Sequence, residues 1–357
     1  MVTILATVVV LGILIFVHEV GHFLLAKLLG VRVEVFSLGF PPKLVSKKVG
    51  DTDYRLSVIP LGGYVKLLGE NPTEAVPLEL QPYSFHHHPL WHRTLIVLAG
   101  PGFNLLFAIL ALFLIFSFSG IPYLTTEIGG VKPDSPAAEA GLRPGDRIIT
   151  LDGQAVQRWE DLAARIRAKG ERPLIIGVKR GEEEFQVEIA PRRMEATNIF
   201  GEKVSTFLIG VSASEKMAVE EVSLEEALIQ GGAYTFRIVG LTLQSIYKLL
   251  TRDIPINTLG GPILIAQVAG QQAAQGVTNL VHFMAMLSVN LALLNLLPIP
   301  ILDGGHLVFI LWEALRGKPV AVKHREMAQA LGMMLILALM LLVFYHDLLR
   351  VFTPDQP

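Results

Sequence analysis

Residues 2–26 read VTILATVVVLGILIFVHEVGHFLLA, and this stretch decides the class of the chain. Its only acid, Glu19, stands between two histidines, and it holds no Lys or Arg. About 20 mostly apolar residues suffice to carry a helix across the hydrocarbon core of a bilayer. A basic n-region and an A-x-A-like cleavage site are both missing, so residues 1–30 read as a membrane span and not as a signal peptide. A Glu and two His inside such a span are costly unless they are paired or bound to metal. His18-Glu19-Val20-Gly21-His22 is an H-E-x-x-H sequence. On a helix, positions i and i+4 share a face, so His18 and His22 can bind one Zn²⁺ while Glu19 reaches the attacking water. By chance the pattern arises in roughly one chain in a hundred of this length and histidine content.

Working outward, the composition agrees with a membrane protein. Apolar residues make up 52% of the 357-residue chain and charged residues 17%, and the mean hydropathy is +0.51. Soluble domains run nearer a quarter charged. The 30 basic and 32 acidic residues leave a net charge of −2, which excludes a general nucleic-acid binder. With no cysteine, thiolate ligands, cysteine nucleophiles and a disulfide scaffold are excluded too.

Three further spans are expected. One lies in 94–120, where Leu95–Phe118 is uncharged and closed by Gly120 and Pro122. Another is assigned to 280–306, its apolar run ending at Pro298 and Pro300 ahead of Leu302-Asp303-Gly304. The last lies in 327–350. Segment 220–279 has apolar positions at helical spacing in Ala227–Leu250, but Gln230, Arg237, Gln244 and Lys248 interrupt them. It is therefore expected as an interfacial amphipathic element. Segment 31–93 alternates like strands at Val31, Val33 and Val35 and again at Tyr54, Leu56 and Val58. Residues 126–193 turn polar and charged and read as a soluble insert of short strands with one helix, Trp159–Ala168.

Lys and Arg concentrate in loops 30–93 and 301–326. The positive-inside rule therefore places both loops in the cytoplasm, with both termini and the insert outside. Spans one and three then run in the same direction and end on the same side. A catalytic zinc takes three protein ligands and keeps one position open, and Asp303 is the third candidate after His18 and His22. A span at Ala227–Leu250 would carry Asp303 to the opposite face, so the reading requires four spans. Metal-assisted hydrolysis is the expected chemistry, with Glu19 taking the water's proton and handing it to the leaving amine.

Three motifs in this order carry a resemblance over nearly the whole chain: His18–His22 in the first span, Ala99-Gly100-Pro101-Gly102-Phe103-Asn104 in the second, and Asn295-Leu296-Leu297-Pro298-Ile299-Pro300-Ile301-Leu302-Asp303-Gly304-Gly305-His306 after the third. They resemble the site-2 protease family of intramembrane zinc metalloproteases. Residues 128–191, with Ser135–Leu142 and Pro144-Gly145-Asp146, look like a PDZ domain, which points to the bacterial RseP-type (regulator of sigma-E protease-like) branch. The chain holds one PDZ-like segment, where some members carry two in tandem.

The resemblance implies a polytopic α-helical membrane protein of four transmembrane helices, with a membrane-associated β-hairpin region at 31–93 and an inserted α+β PDZ domain. It implies a bacterial inner-membrane zinc endopeptidase with its active site toward the cytoplasm. The substrates would be single-span membrane proteins of the anti-sigma factor or remnant signal peptide type, cut in regulated intramembrane proteolysis. Asn290 and Asn295 match the family's substrate-holding asparagines; their plain reading is hydrogen bonding between helices. The hairpin could add an extended substrate as a strand, and Asn104 could support the metal ligands. Gly260-Gly261-Pro262-Ile263 is given a structural or gating role. His86-His87-His88 reads as a solvated loop, and His282, His306 and His346 as interfacial. The rival class is a non-catalytic membrane scaffold whose insert binds peptides, which has no need of a base at Glu19.

Overall fold

Helix α1 (Val2–Leu28) carries the H-E-x-x-H sequence in its second half and stops at Leu29–Gly30, where Gly30 takes a positive φ of 81°. The computed structural model describes residues 1–71 and 74–352, with all side chains but those of residues 60 and 61. The chain then enters β1 (Val33–Val49) and β2 (Thr52–Leu67), an irregular antiparallel pair. Residues 35–38 have partners on both sides, 53–56 and 63–66. Val31, Val33, Leu67 and Phe85 bury themselves against Ala26 of α1 and Ile96 and Val97 of α2 (Leu90–Ser119). That packing pins the 63–67 edge beside the second half of α1.

Contacts divide the chain into two units, Met1–Ile115 with Leu228–Pro357 and Phe116–Ala227. The inserted unit runs β3 (Ile121–Leu124), β4 (Ile128–Val131), α3 (Pro136–Glu139), β5 (Arg147–Leu151), β6 (Gln154–Ala155), α4 (Trp159–Lys169), β7 (Leu174–Arg180), β8 (Glu183–Ile189), β9 (Arg192–Thr197), β10 (Lys203–Leu208), β11 (Val211–Ala213) and β12 (Met217–Glu220). Four strands form a sheet in the order β6-β5-β7-β8, and β9/β10, β4/β11 and β3/β12 make separate pairs. Ile148, Leu151, Leu174, Ile176 and Val178 face Leu162 and Ile166 of α4 in one apolar core. Helix α4 opens with Glu160 and Asp161 and closes with Arg167 and Lys169, each sign matching the dipole at its end. The unit extends past Arg193 to Ala227.

The first unit resumes with α5 (Leu224–Leu250), α6 (Pro262–Gln275), α7 (Val277–Asn295), α8 (Asp303–Arg316) and α9 (Val322–Phe352). Among the described residues, α1, α2, α7 and α9 are the helices long and apolar enough to cross a membrane. Helix α5 is as long as α1 but strongly amphipathic. Helix α6 packs on α1, with Ala269 buried against the face of Ala6, Val10 and Leu14, and a Cβ on Gly270 would meet Thr3 at 2.6 Å. The segment assigned to 280–306 holds the end of one helix and the start of another: α7 closes at Asn295 and Asp303 opens α8. Pro298 and Pro300 have no N–H to continue α7.

Candidate metal centre

His18 and His22 project from one face of α1 with their Nε2 atoms 3.2 Å apart. Asp303, the first residue of α8, brings its carboxylate to 3.1 Å from His18 Nε2 and 3.5 Å from His22 Nε2. One ligand atom from each lies within 4.8 Å of the other two, the one such cluster among the described residues. His18 is buried, and His22 and Asp303 are largely so.

The surrounding backbone sets this geometry. His22 Nδ1 lies 2.8 Å from the carbonyl of Ile96; a carbonyl can only accept, so Nδ1 carries the proton and Nε2 is left with a lone pair. Asn104 on α2 stands 3.2 Å from His18 Nδ1, and Ser288 on α7 donates to the Asn104 carbonyl at 2.9 Å, tying α1, α2 and α7 together. Helices α1 and α2 approach at two glycines. A Cβ on Gly21 would overlap the Ala99 carbonyl, and one on Gly100 would overlap the His22 ring and come within 2.8 Å of His18. Likewise Cβ atoms on Gly304 and Gly305 would strike the carbonyls of Leu296, Leu297 and Ile299. The glycines after Asp303 let α8 begin tightly under the end of α7, which delivers the carboxylate to the histidines.

These donors fit a divalent metal. Two imidazole nitrogens and a carboxylate converge with at least one lone pair facing another acceptor, and the buried Asp303 Oδ2 has no hydrogen-bond partner. Such a set is stable only around a cation or an added proton. Two His and one Asp are nitrogen and oxygen ligands of the type zinc takes in hydrolytic sites.

The trio opens on a cleft of about 520 Å³. Ile15, Glu19, Gly63, Tyr64, Asn295 and His306 are among its walls. Glu19 is one residue from His18, and a Cβ on Gly63 would lie 3.4 Å from its Cγ, so the 63–67 edge runs directly over the acid. That edge pairs with residues 33–38 on one side. Asn295 lines the cleft, but Asn290 turns away and accepts from Thr242 Oγ1 on α5 at 2.8 Å. Positions five apart on a helix lie about 140° apart, which separates the two amides around α7.

The histidine run at 86–88 is more than a solvated loop. His86 lies 3.2 Å from Arg93 Nη1, His87 3.1 Å from Ser84 Oγ and His88 3.0 Å from His92. His306 is held inside, 3.5 Å from Arg325 Nη2; His282 packs on Tyr234 and His346 on Tyr345. The Ile96 carbonyl, Gly63 and Glu70, all in the walls or supports of the cleft, stand outside the residues expected to form the site. A backbone carbonyl has no sequence signal. Gly62-Gly63 inside a strand did carry one, since strand glycines mark close backbone approach.

The chain matches the profile described as Peptidase family M50 over residues 6–339. It is 37% identical over 355 residues to "Putative zinc metalloprotease Atu1380" of Agrobacterium fabrum, covering 96% of this chain and 94% of the relative. It is 31% identical over 447 residues to Protease RseP of Yersinia pestis, covering 97% of this chain and 98% of the relative. Among solved structures, the PDZ domain of an SdrC-like protein from Listeria monocytogenes aligns with 28% identity over 26% of this chain and 88% of that chain, with a TM-score of 0.21. With the family profile spanning almost the whole chain and full-length relatives above 30% identity, this chain belongs to peptidase family M50.

Proposed function

We propose that the chain is a zinc-dependent intramembrane endopeptidase cutting the transmembrane segments of single-span membrane proteins, of the anti-sigma factor or remnant signal peptide type. The observation that carries this reading is the convergence of His18, His22 and Asp303 beside Glu19 at the floor of a cleft built from apolar helices. Zinc, when bound there, would polarise the scissile carbonyl and acidify an attacking water.

The protein's own groups divide the remaining work. His18, His22 and Asp303 hold the metal. Glu19 takes a proton from the attacking water and returns it to the leaving amine. A substrate helix must unwind to be cut, which frees backbone groups that lipid cannot satisfy. The outer edge of residues 63–67 offers them partners by strand addition, and the Asn295 amide adds a donor and an acceptor across the cleft. Asn290, bonded to Thr242, braces α7 on α5.

The membrane is a bacterial inner membrane, with the basic loops 30–93 and 301–326 in the cytoplasm, the metal at that side, and the insert and both termini outside. The insert acts as a PDZ-type module that screens substrates, a role supported by Ser135–Leu142 and Pro144-Gly145-Asp146.

Metal analysis of the purified full chain and cleavage of a single-span test substrate check the reading together. One zinc per chain is expected, lost with activity on chelation and regained on zinc addition. Glu19→Gln should keep the zinc and abolish cleavage, because an amide cannot accept the water's proton. Cleavage by zinc-loaded Glu19→Gln, or by chelated enzyme, would refute the assignment.

A further inference from the structure

His306, which lines the metal cleft, also lines a second cavity of the first unit, of about 420 Å³. Arg325, in the first turn of α9, lines it and is only 9% exposed. A guanidinium carries five N–H donors and no acceptor, so its surroundings can be counted. Nε has no hydrogen-bond partner. Nη1 lies 3.1 Å from His86 Nε2, but that nitrogen is also 3.1 Å from the Glu70 carbonyl. The carbonyl can only accept, so His86 Nε2 bears the proton given to it and has nothing to offer Arg325. His86 is uncharged: burial, with Arg325 and Arg93 beside it, pushes its pKa down to about 4. Nη2 keeps one acceptor, His306 Nδ1, at 3.5 Å.

Arg93, buried in the same wall, differs in one respect: Glu313 pairs with it at 2.6 Å. Arg325 has no ion-pair partner among the described residues. A buried charge without an ion-pair partner and with most of its donors idle is unfavourable unless an anion joins it. The Arg325 guanidinium lies 5.7 Å from the centre of the Phe309 ring, and Ile310, Val320 and Val322 add further apolar surface to a lining that also holds Glu74 and Glu313. Arg325 also opens a 31-residue apolar helix whose sides are almost entirely uncovered, so the cavity lies where that helix meets a membrane surface. The preceding loop adds Arg316, Lys318 and Lys323.

We propose that this cavity is a lipid site, in which Arg325 binds the phosphate of an anionic glycerophospholipid headgroup while the acyl chains follow the exposed face of α9. Glu70 and Glu313 act on Arg325 only at a distance, without a direct ion pair; a phosphodiester brings one negative charge into contact, and its two free oxygens suit the guanidinium fork. Basic pockets at the ends of transmembrane helices bind headgroups in this way. A free phosphate would satisfy Arg325 but leave the apolar walls in water.

Native mass spectrometry of the full chain, equilibrated with phosphatidylglycerol and phosphatidylcholine in equal amounts, tests the site. One phosphatidylglycerol per chain should be retained in preference to phosphatidylcholine. Arg325→Gln should reduce that retention about tenfold or more. Ala321→Trp, which fills the cavity and leaves Arg325 in place, should reduce it equally, and it decides the matter if Arg325→Gln fails to fold. Equal retention of the two lipids, or unchanged phosphatidylglycerol retention in Ala321→Trp or folded Arg325→Gln, would overturn the site. Displacement of the lipid by inorganic phosphate alone would overturn the lipid as its source.

Discussion

Asn104 on α2 stands with its side-chain amide 3.2 Å from Nδ1 of His18 on α1, and its Oδ1 is buried without a hydrogen-bond partner. The two ends of a terminal amide are exchanged by a half turn. With the oxygen facing His18, Nδ1–H donates to it, the orphaned oxygen is satisfied and Nε2 presents a lone pair, as His22 Nε2 already does through Ile96. Asn104 is therefore a positioning residue that sets the His18 tautomer. Asn104→Leu should weaken zinc binding about 10–100-fold, read by chelator competition on the purified chain. Asn104→Asp, which keeps an acceptor, should stay near the native affinity. Equal losses in the two variants would point to packing as the whole of its role.

Gly100 and Gly102 belong to one Ala99–Asn104 motif, yet their surroundings differ. A Cβ on Gly100 would come within 2.6 Å of His22 Cε1 and 2.8 Å of His18 Cε1, whereas nothing lies within 4 Å of one on Gly102. Gly100→Ala is expected to push both imidazoles off their positions and lower zinc affinity about 10–100-fold, with cleavage falling in parallel. Gly102→Ala should leave zinc content and cleavage near native levels, because helix propensity favours Ala by about 1 kcal/mol. Zinc content and turnover of the two variants side by side give the answer; a zinc-loaded, active Gly100→Ala would show that the helices can part without cost.

This contrast also marks what the sequence could reveal. His18, Glu19 and His22 were legible because one helical turn fixes their relation, and Asp303 because span direction limits where a third ligand can arise. What holds them was not: the Ile96 carbonyl is a backbone group, and the approach at Gly100 depends on the way α1 and α2 pack. The separation of Asn290 from Asn295 follows from helical geometry alone, since a five-residue step rotates about 140°, but resemblance paired them. Strands β9 to β12 are only three to six residues long, too short for an alternating pattern to stand out. The Arg325 cavity draws on four separate segments, and sequence gave Arg325 only a place in a basic loop.

Asp347 in α9 accepts from the backbone N–H groups of Gly261, Ile263 and Leu264 at 3.0, 2.9 and 3.1 Å. A distant carboxylate thus caps α6, and Gly261 is required because a Cβ there would meet Asp347 Oδ2 at 2.6 Å. Asp347→Ala leaves buried donors unsatisfied and should cost about 2 kcal/mol, seen as a lower Tm in detergent and faster hydrogen exchange at residues 261–264. Asp347→Asn, with one acceptor oxygen left, should lose less. Since α6 packs on α1 through Ala269, the Asp347→Ala variant should also release zinc more readily. Native exchange at 261–264 in Asp347→Ala would show that another group caps α6.

The inserted unit has a pH dependence of its own. Asp146, almost fully buried, accepts from Arg180 Nε at 2.6 Å and Nη2 at 2.8 Å and from the Arg143 N–H at 2.8 Å. Arg180 also donates to the Gly141 carbonyl at 2.8 Å, so the pair clasps the turn between α3 and β5 to the end of β7. The Arg180 guanidinium holds the Asp146 carboxyl below its ordinary value of 3.8. A carboxyl with a depressed folded pKa binds fewer protons folded than unfolded below about pH 4. Its contribution to stability is therefore complete above that pH and is lost as pH falls toward the folded value. Trp159 packs against the core of the unit; in a chain with Trp91→Phe and Trp312→Phe its fluorescence reports unfolding of the insert alone. The midpoint of that transition should be level from pH 7 to about 5 and drop below about 4. Asp146→Asn should lower the midpoint at pH 7 and flatten its fall below pH 4, since the group that titrates is gone. An equally steep acid loss in Asp146→Asn would assign the titration to another carboxylate of the insert.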